Sequence, residues 1–226
     1  MSAFFFRIFP DMADKMPELW ESTLQTVEMV LISGAIAFAL GLLIGLLLTV
    51  TPRGGVLSCP PLWWVLDKLI NLLRSIPFII LLATLIPFTR ALMGTAIGVR
   101  GAIVPLVFGT VPFFSRQVEA ALAQVDRGLV EAAQSMGDSP LRIVGRVYLR
   151  EGIPALARAV TITFVSLIGL SAIAGSVGAG GLGDFAIRWG HQRNQTDVTF
   201  VTLIVILAMV LLAQAVGDWV VRKTTH

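Results

Sequence analysis

The stretch "VEMVLISGAIAFALGLLIGLLLTV", residues 27–50, is overwhelmingly apolar, with Glu28 near its start as its one charged residue. A helix that crosses the hydrocarbon of a bilayer needs about 20 such residues. In lipid the backbone of an open segment has no water to bond, so a run of this kind is constrained to be helical. Four further runs have the same character: residues 76–92, 101–123, 155–177 and 198–221. Only 14% of the chain is charged, where soluble domains carry about 25%. The mean hydropathy is +0.84. The expectation is an all-α polytopic membrane protein with five transmembrane helices over residues 27–221. Residues 1–26 form an N-terminal segment and residues 222–226 a tail.

The N-terminus does not read as a cleaved leader. Asp11, Asp14, Glu18 and Glu21 precede the first run, unlike a basic leader, and the apolar stretch continues well past Ala35 and Ala37. Five spans put the termini on opposite sides. With the N-terminus outside, eleven of the 17 Lys and Arg residues fall on the inner side, which favours N-out and C-in. Residues 62–75 read as amphipathic, with Asp67, Asn71 and Arg74 at helical spacing and Trp63, Leu66, Leu69, Ile70 and Leu73 supplying apolar bulk. Two readings stay open there: an interfacial helix, or the wet end of the second span.

Several chemistries are excluded or left without support. The scattered basic residues carry no aromatic-basic module, so nucleic acid is not an expected partner. Two His and one Cys leave a metal site without ligands, and Cys59 reads as an inert thiol. Gly178-x-Gly180-x-x-Gly183 fits a dinucleotide fingerprint in letters only, because it follows a helical run and not a strand. The glycines read instead as a tightly packed turn at the outer end of the fourth span. No phosphate-binding P-loop occurs, so any ATP-driven step needs an ATPase on another polypeptide. No carboxylate or His lies deep in the expected spans, which disfavours a proton- or sodium-coupled carrier. Gly41-x-x-x-Gly45 and Gly94-x-x-x-Gly98 fit small-residue helix packing. Pro77, Pro87, Pro105 and Pro112 suggest helices bent around a path, or a kinked bundle that conducts nothing. Asn194-Gln-Thr196 is a formal glycosylation sequon to which no role is assigned.

The polar island "EAAQSMGDSPLRIVGRVYLREGIP", residues 131–154, interrupts this apolar chain. Asp126 suits the N-cap of a short helix, Gly137 the left-handed residue that ends it, and Ser139 with Pro140 the start of a second helix. Ala132, Ala133 and Met136 share a face, small enough for close approach and with Met to fill a partner's pocket. Arg142, Arg146 and Arg150 form a stripe at i, i+4, i+8, facing anionic headgroups or an acidic protein surface.

Glu131, Ala132, Ala133, Gly137, Val147 and Leu149 match, in spacing and in place between spans three and four, the EAA loop of ABC-importer permeases. Arg150 stands where that motif has Pro, and Gly152 with Pro154 is expected to supply the break. "RSIPFIILLATLIPFTR", "VDRGLVEAAQSMG" and "TITFVSLIGLSAIAGSVGAGGLGDFAIRWGHQRNQTDV" further resemble the methionine-import subfamily. The resemblance implies a type I importer permease in the bacterial inner (plasma) membrane. It implies a homodimer with a path at its interface, two cytoplasmic ABC ATPase subunits that carry ATP and magnesium, and a periplasmic substrate-binding protein. This chain itself would bind no cofactor and perform no covalent chemistry. Glu131, Ala132, Ala133, Met136 and Gly137 would couple to the ATPase from a cytoplasmic loop at about 124–154. Ser171, Ala174, Gly175 and Ser176, late in span four, are candidates for the path or outer gate, with tight helix packing as the other reading. Import of other amino acids or small peptides is the alternative.

Overall fold

The computed structural model describes residues 9–12 and 14–224. The first eight residues of the N-terminal segment, with Arg7, and the last two residues of the tail lie outside them. The described residues form helices and turns with no strand. Four helices are long and apolar enough to cross a membrane: α1 (Met16–Val50), α5 (Gly98–Leu122), α9 (Ile153–Ala174, continued by a π-helical turn Gly175–Ala179) and α11 (Thr196–Thr224). Between them lie α2 (Pro60–Arg74), α3 (Phe78–Thr84), α4 (Ile86–Met93), α6 (Arg127–Ser135), α7 (Pro140–Ile143), α8 (Leu149–Glu151) and α10 (Gly181–Phe185).

The second expected span, 76–92, is divided between α3 and α4, and neither alone has the length to cross. Pro87 sits in the first turn of α4. Without an N–H it cannot bond back into the preceding turn, and its ring crowds the carbonyl there. The chain nevertheless stays helical in direction, since the Thr89 amide donates to the Leu85 carbonyl at 2.7 Å. Pro105 and Pro112, by contrast, lie within an unbroken α5. Helix α1 begins at Met16, not near residue 27, so Glu28 lies inside it and is exposed. Residues 60–74 form a separate helix that starts on Pro60 and Pro61, as prolines favour.

The contacts divide the chain into two compact units, and the long helices each contribute segments to both. One unit comprises residues 1–35, 77–107 and 164–213. Its core joins Met29, Val30, Leu106, Leu167 and Ile168, with a second cluster of Met12, Leu19, Leu182, Phe185 and Val198. The other unit comprises residues 36–76, 108–163 and 214–226. Its core joins Phe114, Val118, Leu122 and Ala159, with Val130, Ala133 and Ile143 in a satellite cluster. Several buried hydroxyls are satisfied within their own helices: Thr163 donates to Ala159 at 2.8 Å and Thr202 to Val198 at 2.7 Å. Large apolar side chains also face outward, Leu43, Leu72, Leu211 and Leu212 among them. For α11 only 17% of its most apolar window is buried. That is the arrangement of a protein solvated by lipid or by further protein, not by water.

The two small-residue pairs do different things. Gly41 and Gly45 lie where α1 meets α5. A Cβ on Gly41 would stand 2.7 Å from Phe114 Cδ1, and one on Gly45 would stand 2.6 Å from the Ser115 carbonyl oxygen. Gly94 and Gly98 pack on nothing. Both have positive φ (75° and 74°) and bracket the turn between α4 and α5. Their spacing imitates a packing motif, but their requirement is conformational. Gly41→Ala is expected to cost about 1–3 kcal/mol through crowding of the buried Phe114 ring. Gly169→Ala, in a helix with open space at Cβ, should be neutral or stabilising by up to about 1 kcal/mol. Thermal midpoints in detergent would read both.

Candidate functional site

The polar island folds as its caps dictate. The Asp126 side chain accepts from the Gly128 amide at 2.8 Å and starts α6. Gly137 ends the helix at φ +79°, and the Asp138 amide donates back to the Ala133 carbonyl at 3.1 Å. That is a left-handed closure, which glycine enters without penalty. Ser139 precedes Pro140 at the start of α7. A π-helical turn, Val144–Tyr148, then leads into α8, and the chain breaks at Gly152 before α9 with Pro154 in its first turn. Arg150 is therefore a helical residue, and the break expected of the missing Pro falls two residues later.

The structure separates the five expected coupling residues. Ala132, Met136 and Gly137 are exposed, Met136 at 77%. Ala133 is 3% exposed and packs with Val130 and Ile143 against Val56, Val147 and Tyr148. It holds the helix down and presents nothing outward. Glu131 turns to a third side, into a cleft of about 330 Å³ whose far wall is the turn after α1, residues 52–56. Two exposed side chains complete the outer face: Leu129, and Leu141 at 74%. Leu129, Met136 and Leu141 are each exposed within this charged segment, and exposed apolar side chains of that kind are where a partner's surface gains most from contact. Of the arginine stripe, Arg142 pairs with Asp138 at 3.0 Å, while Arg146 and Arg150 are exposed.

The second candidate group lies in the unit holding residues 164–213. Ser171, Ala174 and Gly175 are buried within the chain, and Ser176 alone is exposed, beside the half-exposed Val177. Ser171 Oγ donates to the Ile168 carbonyl at 2.7 Å, which satisfies it locally. Gly175 lies under the glycine turn: a Cβ there would meet the Gly180 carbonyl oxygen at 2.6 Å and the Asp184 amide at 2.8 Å. Gly178, Gly180 and Gly181 all have positive φ. The Gly181 amide donates to Gln25 Oε1 at 2.8 Å and the Leu182 amide to Thr26 Oγ1 at 2.9 Å. So the fingerprint-like glycines form a close backbone turn pinned to α1. Next to it Arg188 joins Glu18 at 2.5 Å and Asp184 at 3.0 Å, and Arg193 stacks over the Trp189 ring at 3.9 Å.

A charged cluster in the other unit was not legible as such. Asp67, on the supposed wet face of α2, pairs with Arg116 of α5, and Arg116 also pairs with Glu119 at 2.6 Å. The Arg116 guanidinium donating to Asp67 holds its carboxyl below the ordinary value, against the opposing effect of burial. Among the described residues no group of acidic, His and Cys side chains has the makings of a metal site.

Residues 37–226 match the family model of the binding-protein-dependent transport system inner membrane component. The probable D-methionine transport system permease protein of Vibrio cholerae is 46% identical over 208 residues, 92% of each chain. The methionine import system permease protein of Bacillus subtilis is 43% identical over 214 residues, covering 95% of this chain and 96% of the relative. Among solved structures, an inward-facing conformation of the MetNI methionine ABC transporter contains a similar chain. It has a TM-score of 0.92 and 42% identity, over 95% of this chain and 99% of that one. An amino acid ABC transporter with histidines shares the fold alone, at a TM-score of 0.78 and 20% identity.

Proposed function

The chain belongs to the family of binding-protein-dependent transport system inner membrane components, and on that premise we propose how it works as the membrane-spanning permease subunit of an ATP-driven methionine importer. It is a transport subunit and not an enzyme. Two copies form the translocation path at their interface. Two cytoplasmic ABC ATPase subunits, carrying ATP and magnesium, seat on the loop at residues 124–154. A periplasmic binding protein delivers substrate to the opposite face, and lipid covers the outward apolar helix faces. With α3 and α4 together making one crossing, the N-terminus lies outside and the C-terminus in the cytoplasm, in keeping with the excess of basic residues on the inner side.

The observation that carries the coupling role is the exposed Met136, set between Ala132 and the Gly137 turn. A flexible thioether on a short rigid helix enters a groove on the ATPase, and the small Ala132 lets the groove's rim approach. Closure of the ATPase pair on ATP displaces α6. Ala133 ties α6 to the turn after α1 and to the π-helical turn of residues 144–148, so the displacement is delivered to the ends of those segments. The path then switches between inward-open and outward-open states, a two-state element biased from outside. Ser176, with Val177, lines the path. Ser171, Ala174 and Gly175 shape it from behind by holding the glycine turn against α9.

Reconstitution of the permease with its ATPase and binding protein in proteoliposomes tests the assignment. Uptake of radiolabelled methionine should require ATP hydrolysis and persist in the presence of an ionophore. Uptake that collapses with the ionophore and ignores ATP would make the chain an ion-coupled carrier. Stronger competition by another amino acid or a short peptide than by unlabelled methionine would reassign the substrate.

A further inference from the structure

The cleft behind α6 is polar and its charges are unmatched. Arg127, Val130, Glu131 and Gln134 recur at the spacing of one helical face, and that face forms one wall. Arg53 and Tyr148 reach it from the turn after α1 and from the π-helical turn. No ion pair or hydrogen bond engages the side chains of Arg53, Arg127 or Glu131 among the described residues. Two arginines and one glutamate therefore line about 330 Å³ of open space. The opposite wall is not a loose loop. The Gly55 amide donates to the Pro52 carbonyl at 2.9 Å, the Leu57 amide to Val50 at 3.0 Å and the Cys59 amide to Thr51 at 2.9 Å. Gly54 at φ +83° closes the turn.

We infer that this cleft is a second docking element, in which an acidic side chain of the ATPase subunit inserts between Arg53 and Arg127. The inference rests on the coupling role proposed above for α6. The physical grounds are its position and charge. The cleft lies on the face of α6 adjoining the exposed Ala132 and Met136, so a protein seated there already borders it. An incoming carboxylate gives both guanidiniums the partner they lack, and planar donors of fixed geometry suit that anion. Glu131 stays inside the cleft, where it accepts from a backbone N–H of the inserted segment and rejects a second acid. In this arrangement the turn after α1 reads the ATPase directly, and Glu131 orients a cleft rather than the outer docking face.

The test uses affinity-tagged permease copurified in detergent with the ATPase subunit that supports its ATP-driven uptake. Reversing both charges (Arg53→Glu with Arg127→Glu) should lower the ATPase retained by about tenfold or more, since like charges then meet across a desolvated contact. Arg53→Lys with Arg127→Lys keeps the charge without the planar donors and should retain more than the charge-reversed chain and less than the unaltered one, and retention by the unaltered chain should fall as salt is raised. As a variant that keeps both arginines, Gln134→Cys in a Cys59→Ala background, at an exposed position lining the cleft, should label with maleimide in free permease and about tenfold more slowly with the ATPase bound. Full ATPase retention by the charge-reversed chain, or equal labelling with and without the ATPase, overturns the inference. If Gly137→Val still loses the ATPase in the same experiment, the coupling reading stands and only the cleft's part in it falls. Intact retention in detergent, with uptake lost only in liposomes of phosphatidylglycerol, would assign the cleft to a lipid phosphate and likewise overturn it.

Discussion

Replacing Gly137 by Val is expected to reduce ATP-driven methionine uptake by tenfold or more, with the protein still inserted. Gly137 holds φ +79°, and a β-branched residue there is strained by about 1–3 kcal/mol. No neighbouring atom lies within 4 Å of a Cβ at this position, so the penalty is purely backbone. The helix end escapes it by opening the closure in which the Gly137 amide meets the Gln134 carbonyl at 3.0 Å and the Asp138 amide meets Ala133 at 3.1 Å. Met136, the residue just before the turn, then loses its fixed place at the end of α6. Gly137→Asn, which tolerates the left-handed region, should keep most of the uptake. Uptake and ATPase copurification, measured on both variants at matched membrane levels, check the argument. Equal uptake by the Val variant would remove the turn from the coupling mechanism.

Arg116→Ala is expected to be the most damaging change outside the loop. Asp67 and Arg116 are 14% and 19% exposed, and Glu119 shares the guanidinium at 2.6 Å. Removing Arg116 takes from Glu119 its ion pair and leaves Asp67 only the exposed Lys68 at 3.6 Å, at about 3 kcal/mol. For a chain of this size that lowers the thermal midpoint in detergent by about 6–12 °C. Asp67→Asn combined with Arg116→Met removes the charges together and should recover part of the loss, a coupling that a double-mutant cycle measures. The pH dependence has a definite sign. The pKa of Asp67 is depressed below the ordinary value of 3.8. Its contribution is full above that value and fades as pH falls through the lower folded value. A midpoint that falls on acidification in the unaltered protein, and falls less in the paired variant, is the expected result.

The parts of this molecule that were legible beforehand share one property: they depend on neighbours along the chain. The first, third, fourth and fifth apolar runs became long helices because backbone satisfaction in lipid is a local demand. Asp126, Gly137 and Pro140 took their expected places because capping and left-handed closure are decided within a few residues. The positive φ values of the glycine turn at 178–183 are likewise a local property of glycine, though its pinning to Gln25 and Thr26 is not. What misled was periodicity read without a partner. Gly94 and Gly98 have the spacing of a packing motif, yet their positive φ makes them turn residues. Asp67 has the spacing of a wet face, yet Arg116 lies across from it. Ala133 shares a helix with Met136 but is spent on the interior.

By itself, the sequence determined that this chain is a helical membrane protein, where its loop between the third and fourth apolar runs must turn, and which family that loop resembles. Those properties follow from hydropathy, backbone bonding and local stereochemistry, all short-range along the chain. The tertiary structure alone decided which side of α6 faces outward, that Glu131 and Arg127 share a cleft with Arg53, that Ser171, Ala174 and Gly175 are covered while Ser176 is not, and that Asp67 is held by Arg116. A side chain's surroundings are set by helices distant in sequence. A periodic pattern states which residues share a face, but only packing states what that face meets.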